Sequence, residues 1–255
     1  MDKNTILKNF GEDDRADVIN LYDKFVLSEN RDISLFGNNF YSPNVWKYFE
    51  RFLTNKDFIV SSYGFFEEAE RKMISFNNRY DNLFPLKKIK IVTTSKFNTI
   101  SHKDYLGAVL ALGIKRNKIG DLLVKENFCY LPVCEGIHEF IVSNLTSIGS
   151  SPCLVQILED DFIPPEPVFS EMIILVPSLR IDTIAAKLCN ISRGKAQDAI
   201  DGGKVLIDYN TIKNKGEEVS VGQRITIRGS GKFILGDIVG NSRSGKFKVQ
   251  IKKYT

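Results

Sequence analysis

The chain has 255 residues, 43% hydrophobic and 26% charged, with a formal net charge of +4. That is enough for two or three small domains with real cores, and so ordinary a composition excludes the exotic classes. No stretch approaches the roughly 18 uninterrupted apolar residues of a membrane helix, and the opening "MDKNTILKNFGEDD" has no apolar leader core, so a cytoplasmic protein with no membrane partner is expected.

The modest net charge hides an asymmetry. Residues 178–255 carry 15 Lys/Arg against 7 Asp/Glu, a local +8, whereas residues 1–177 carry 20 against 24, a local −4. A basic terminal module on a mildly acidic chain points to a polyanion, either nucleic acid or an anionic membrane surface. Cys129, Cys134, Cys153 and Cys189 are scattered without zinc-site spacing and read as free thiols. With only His102 and His138, there is little material for histidine catalysis, and no metal site or cofactor is implied.

In chain order, "DRADVINLYDKFVLSEN" (14–30) places Val18, Leu21, Tyr22, Phe25 and Val26 at helical spacing. A second helix is expected over 42–53, with Ser42 as N-cap, Pro43 at the first position and Trp46, Phe49 and Phe52 or Leu53 as its core stripe. Residues 57–78 read as a strand, a turn at Gly64, a short charged helical turn and a further strand. A mixed α/β domain over 1–84 results.

From Pro85 the expected order is strand 88–94, helix 102–112, strand 119–125, strand 128–134, helix 135–147, strand 152–158. This β-α-β-β-α-β order over 85–162 suits a ferredoxin-like sandwich, a frame shared by many single-strand RNA binders. The aromatic RNA-recognition signature is absent, and only Phe128 and Tyr130 alternate on the relevant strand. His102 and Lys103 at a helix start, and Lys115, Arg116 and Lys118 after its end, form a candidate second RNA surface. Pro164, Pro165 and Pro167 then mark a domain boundary, with a linker and leading strand over 163–177.

The last module, 178–255, opens with a helix that Ser178 is placed to cap and whose inner side is Leu179, Ile181, Ile184, Ala185 and Leu188. A second helix starts at Ser192, turns Ala196, Ala199 and Ile200 inward, and ends at Gly202 and Gly203, either able to adopt the left-handed conformation. Arg193, Lys195 and Gln197 fall in its first turn and a half, where open backbone N–H groups and the helix dipole favour an anion. Strands "KVLIDY" and "GQRITIRG" are expected to pair behind the helices. The candidate RNA contacts are Arg180, Asp182, Ser192, Arg193, Lys195, Gln197, Lys204, Lys213, Lys215 and Arg228, with Asp182 orienting its neighbours rather than touching RNA.

The spaced set Arg180, Asp182, Leu188, Ser192, Arg193, Ala196, Ile200, Gly203, Val205 and Gly222 resembles the S-four-type (alpha-L) RNA-binding domain. "SYGFFEEAERKM" (62–73), "SHKDYLGAVLALGIKRNKIGDLLV" (101–124) and the tail from Arg228 are similar to the YlmH-type bacterial proteins. The resemblance implies three domains within an α+β fold. It also implies a non-catalytic, ribosome-associated RNA-binding protein that engages ribosomal RNA and tRNA on the large subunit with peptidyl-tRNA, in rescue of stalled translation. A monomer is expected.

Two enzymatic readings compete with this one. "GNSRSGKF" (240–247) spells a P-loop skeleton, but Phe247 stands where Ser or Thr would hold magnesium and an alternating strand pattern follows instead of a helix. The S-four-type module is also found fused to RNA-modifying enzymes of the pseudouridine synthase or methyltransferase type, which remains the alternative. No G-x-G-x-x-G precedes residue 178.

Overall fold

The computed structural model describes residues 2–94, 100–166 and 169–254. Two compact units divide the chain, Met1–Glu166 and Pro167–Thr255. They part within the proline-rich stretch, whose Pro167 lies outside the described residues.

The first unit opens with a short helix, α1 (Lys3–Leu7), that the hydrophobic pattern does not announce. In α2 (Glu12–Arg31), Val18, Leu21 and Phe25 are buried, with Tyr22 and Val26 packed at the edge of the same core. After β1 (Leu35–Phe36) comes α3 (Pro43–Leu53). Its buried row is Val45, Phe49 and Leu53, spaced by four, while Phe52 is 49% exposed. Of the expected stripe, Phe49 and Leu53 are buried, and Trp46 packs at its edge and donates Nε1–H to the Glu70 carbonyl at 2.8 Å. Ser42 precedes the helix without capping through its side chain, its hydroxyl instead reaching Asp14 at 3.4 Å. Strands β2 (Val60–Tyr63) and β3 (Met73–Phe76) complete a three-stranded antiparallel sheet in the order β1-β3-β2. The charged stretch between β2 and β3 is a series of turns and bends, not a helical turn.

The second sheet of this unit follows the expected β-α-β-β-α-β order. Its elements are β4 (Leu86–Thr93), α4 (His102–Ala111), a 3-10 turn at Arg116–Lys118, β5 (Leu123–Lys125), β6 (Phe128–Cys134), α5 (His138–Asn144), a short β7 (Ser147–Ile148) and β8 (Ser151–Leu158). The strand order β5-β6-β4-β8-β7 interleaves the two halves, as a ferredoxin-like reading requires. Helix α5 is shorter than the 135–147 expected: Gly136 takes a left-handed φ of +91°, and the Glu135 N–H still bonds to the Pro85 carbonyl at 3.0 Å. The strand expected over 119–125 is reduced to β5 and an isolated bridge at Ile119. Arg116 donates to the carbonyls of Ile119 and Gly120 at 2.6 and 3.1 Å, bending the chain between them.

Alternation on these strands separates two faces. Ile89, Ile91, Cys129, Leu131, Val133 and Val155 turn toward Tyr105 and Val109 of α4 and Ile141 of α5. The opposite face carries Lys90, Val92, Phe128, Tyr130 and Leu154. Segments 1–84 and 85–162 therefore each own a sheet. Within the unit the two are joined by a cluster of Phe40, Met73, Leu86 and Cys134. The Asp121 carboxylate also accepts the backbone N–H groups of Glu70 and Arg71 at 2.5 and 2.8 Å.

Gly120 lies in this joint: a Cβ there would stand 2.5 Å from Pro132 Cγ and 3.1 Å from the Phe40 ring. Gly120→Ala should therefore destabilise the unit by about 1–3 kcal/mol, measured as a lowered denaturation midpoint of the full chain. The four cysteines are free, with Cys129 and Cys134 buried and Cys153 and Cys189 partly so. Burial pushes the Cys134 thiol up to about 11, and those of Cys129 and Cys153 upward as well. These three are poor nucleophiles.

The second unit is a helix pair on one antiparallel sheet. Its elements are β9 (Phe169–Val176), α6 (Ile181–Cys189), α7 (Arg193–Asp201), β10 (Val205–Ile207), β11 (Asn210–Thr211), β12 (Arg224–Ile227), β13 (Gly231–Asn241) and β14 (Phe247–Tyr254). The sheet order is β11-β10-β12-β13-β14-β9, so β9 joins the sheet at its edge beside β14. The core sets Ile181, Ile184 and Ala185 of α6 and Ala196 and Ile200 of α7 against Val205, Ile225, Phe233, Leu235, Val249 and Ile251.

Helix α6 starts at Ile181, and Ser178 does not cap it. The residues before it are taken up by pairing: the Ile181 N–H bonds to the Glu217 carbonyl at 2.8 Å and the Val219 N–H to the Leu179 carbonyl at 2.9 Å. Asn190, left-handed at φ +53°, ends α6; of the two glycines after α7, only Gly203 is left-handed, at φ +65°. "GNSRSGKF" is the hairpin between β13 and β14, closed by the Ser242 N–H on the Lys246 carbonyl at 2.8 Å. No helix follows it, as the P-loop reading would require.

Candidate nucleic-acid interface

The site is built where α6 and α7 meet. Ser192 caps α7, its hydroxyl oxygen accepting the Lys195 N–H at 3.3 Å, and this aims the first turn of α7 toward the start of α6. There Asp182 is fully buried. A buried carboxylate needs partners, and this one gathers them from both helices.

Arg193 donates Nε–H to Asp182 Oδ2 at 2.9 Å, with Nη2 at 2.8 Å, and Gln197 Nε2 donates to the same oxygen at 2.9 Å. Arg180 donates Nε–H to Oδ1 and Nη2–H to Oδ2, both at 3.3 Å. The Thr183 hydroxyl completes the set on Oδ1 at 3.3 Å. Burial by itself would raise the Asp182 pKa, but hydrogen bonds from Arg180, Gln197 and Arg193, with the Arg193 charge, outweigh it and hold the carboxyl well below the usual range.

The consequence is a preorganised pair of cations. The Arg180 and Arg193 side chains remain 40% and 55% exposed while anchored on Asp182, and Lys195 stands exposed in the same turn. Three positive charges against one buried negative leave a surplus that an external phosphate would neutralise, beside an open helix N-terminus. Arg180 is also backed from behind, since a Cβ on Gly216 would stand 3.1–3.2 Å from its guanidinium. Gly216→Ala should displace that guanidinium and lower RNA affinity several-fold, with the thermal midpoint nearly unchanged because a long side chain gives way easily. Filter binding and a melting curve would read the two effects.

The other expected contacts lie elsewhere. Lys204 follows the C-terminal end of α7, and its carbonyl accepts the Arg228 N–H at 2.9 Å, so these two exposed cations are neighbours. Lys215 is paired with Asp201 at 2.7 Å, at that same end, and Lys213 is exposed in the following loop. The two groups of cations are separated by the length of α7, roughly 14 Å at 1.5 Å per residue.

The five residues of the second candidate surface are not brought together. His102 and Lys103 begin α4, whereas Lys115, Arg116 and Lys118 follow its far end, about 15 Å along the axis. Arg116 is turned inward onto carbonyls and faces Asp121 at 3.8 Å; burial, then the neighbouring Arg71 charge, draws its pKa down to about 10. Lys118 donates to the Asn38 carbonyl at 2.9 Å, leaving Lys115 exposed. Lys118 thus links the second segment of the unit to the first, while Arg116 bonds within its own segment. Thr183 and Gly216 belong to the Asp182 cluster without any signal in their own sequence context that would have selected them.

Helices α6 and α7 thus lie on one antiparallel sheet, with Arg180 and Arg193 fixed on a buried carboxylate where the helices meet. Residues 179–225 match the S4 domain family, and residues 80–160 match the family described as "Putative RNA-binding domain in YlmH". Along nearly its whole length the chain is similar to the ribosome-associated protein quality control protein P2 of Bacillus subtilis, at 25% identity over 97% of this chain and 98% of that one. A solved structure of the cell division protein ylmH from Streptococcus pneumoniae aligns at 22% identity over 59% of this chain and 93% of that chain, with a TM-score of 0.47. Among the described residues no helix is long and apolar enough to cross a membrane.

Proposed function

We propose that this chain is a non-catalytic RNA-binding protein that docks its S4 unit on structured ribosomal RNA and tRNA. The observation that carries the reading is the Asp182 cluster, which spends a buried carboxylate on holding two half-exposed guanidiniums in place beside Lys195. Contacts of this kind position a protein on phosphates without reading bases, so specificity comes from RNA shape. Similarity to the ribosome-associated protein quality control protein P2 of Bacillus subtilis supports the ribosome as the place of action. On this reading the protein acts as a cytoplasmic monomer on the large subunit carrying peptidyl-tRNA, in rescue of stalled translation.

Sedimentation with separated ribosomal subunits tests it. Co-pelleting with the large subunit, strengthened by peptidyl-tRNA, is the expected result. Failure to associate with either subunit would overturn the ribosomal assignment.

A further inference from the structure

The open face of the second sheet of the first unit holds an arrangement that the Asp182 cluster does not use. Lys90 Nζ stands 3.8 Å from the centroid of the Phe128 ring and 5.6 Å from that of Tyr130, on adjacent central strands. Beside them, Val92 pairs with Leu154, which is 60% exposed. Lys125, the cross-strand partner of Phe128, is exposed too.

One ring of this face is already covered. Phe162 follows the last strand and stacks on Tyr130, with centroids 5.5 Å apart and planes 18° from parallel. The acidic segment leading to it, Glu159-Asp160-Asp161, is held by lysines of β4. Lys87 Nζ meets both carboxylate oxygens of Asp160 at 3.0 and 3.1 Å. Lys88, only 7% exposed, donates to the carbonyls of Asp160 and Phe162 at 2.6 and 2.8 Å. A flat ring on a strand aromatic, with carboxylate and carbonyl oxygens on adjacent lysines, reproduces what a nucleotide offers: a base to stack and phosphate oxygens to pair.

We propose that Phe128, Tyr130 and Lys90 form a base-stacking platform for single-stranded RNA, and that residues 159–162 occupy part of it as an internal stand-in. The proposal rests on the reading of the chain as an RNA-binding protein but uses a different surface and a different RNA. A base arriving at Tyr130 must first displace Phe162. Removing that ring therefore strengthens binding, the opposite of what loss of a merely supporting residue would do.

The test uses the full chain and a fluorescein-labelled, unstructured A/U RNA of about ten nucleotides, within the site sizes of such platforms. Fluorescence anisotropy should show Phe162→Ala binding about tenfold more tightly than wild type. Adding Tyr130→Leu, which keeps apolar bulk but removes the ring, should abolish the gain. An unchanged or weakened affinity in Phe162→Ala, or a gain that survives Tyr130→Leu, would overturn the platform. The gain should persist when Arg193→Ala and Lys195→Ala are added, and its disappearance there would also overturn it. The same Arg193/Lys195 variant titrated with a structured RNA hairpin tests the S4 grip separately, so one reading can fail while the other stands.

Discussion

Asp182→Ala is expected to lower the stability of the C-terminal unit by about 2–3 kcal/mol and to weaken RNA binding at least as much as loss of either arginine. The carboxylate receives hydrogen bonds from Arg180, Thr183, Arg193 and Gln197, drawn from both helices. Charge-assisted bonds of this kind are each worth more than neutral ones, but the half-exposed guanidiniums rehydrate once released, which keeps the total below that of a fully buried pair. Asp182→Asn is the sharper control, because it keeps the shape yet presents an amide N–H₂ to donors and should recover little.

The pH dependence follows from the same contacts. The folded-state pKa of Asp182 is depressed, so its contribution is complete above the ordinary aspartate value near 3.8 and fades as pH falls below it. Urea denaturation of wild type and Asp182→Asn across pH 3–7 should show the stability gap narrowing toward the acid end. A gap independent of pH would remove the carboxylate's charge from the account.

Arg193→Ala combined with Lys195→Ala should lower affinity for structured RNA on the order of tenfold to a hundredfold at low salt; the unit stays folded but is less stable, because Asp182 loses its Arg193 bonds. Both side chains are exposed in the first turn of α7, and the helix keeps its Ser192 cap and its Ala196 and Ile200 anchors. The loss should be similar for hairpins of different sequence and equal shape, because phosphate contacts carry no base information. Gel-shift titrations on a small panel of hairpins would measure it, and a loss confined to one sequence would mean that the turn reads bases.

The local code of the helix pair was legible. Ser192 as cap, Ala196 and Ile200 as anchors and the pairing of β10 with β12 all follow from spacing within a few residues. What was not legible depends on encounters between distant elements. The convergence of Arg180, Arg193 and Gln197 on Asp182 needs the angle between α6 and α7, which spacing leaves open. Arg116 reads in sequence as a surface cation, whereas the fold bends it onto the carbonyls of Ile119 and Gly120. Ser178 looked like a cap because the strand-like pairing of residues 179–181 with 217–219 lies almost forty positions away in the chain. The tight turn of the β10–β11 hairpin falls on Asp208-Tyr209, both left-handed, which nothing in the local spacing marks. It is held by Asp208 accepting from the Arg224 N–H at 3.1 Å and by the Arg224 guanidinium donating to the Tyr209 hydroxyl.

The cations anchored at the junction of α6 and α7 are proposed to neutralise RNA phosphates. The most direct measurement is the salt dependence of binding to a structured RNA hairpin, for wild type and for the Arg193→Ala, Lys195→Ala variant. Each phosphate contact adds about 0.9 to the slope of log affinity against log salt on a duplex, so the variant's slope should be shallower by about 2. Identical slopes and affinities for the two proteins would contradict the account.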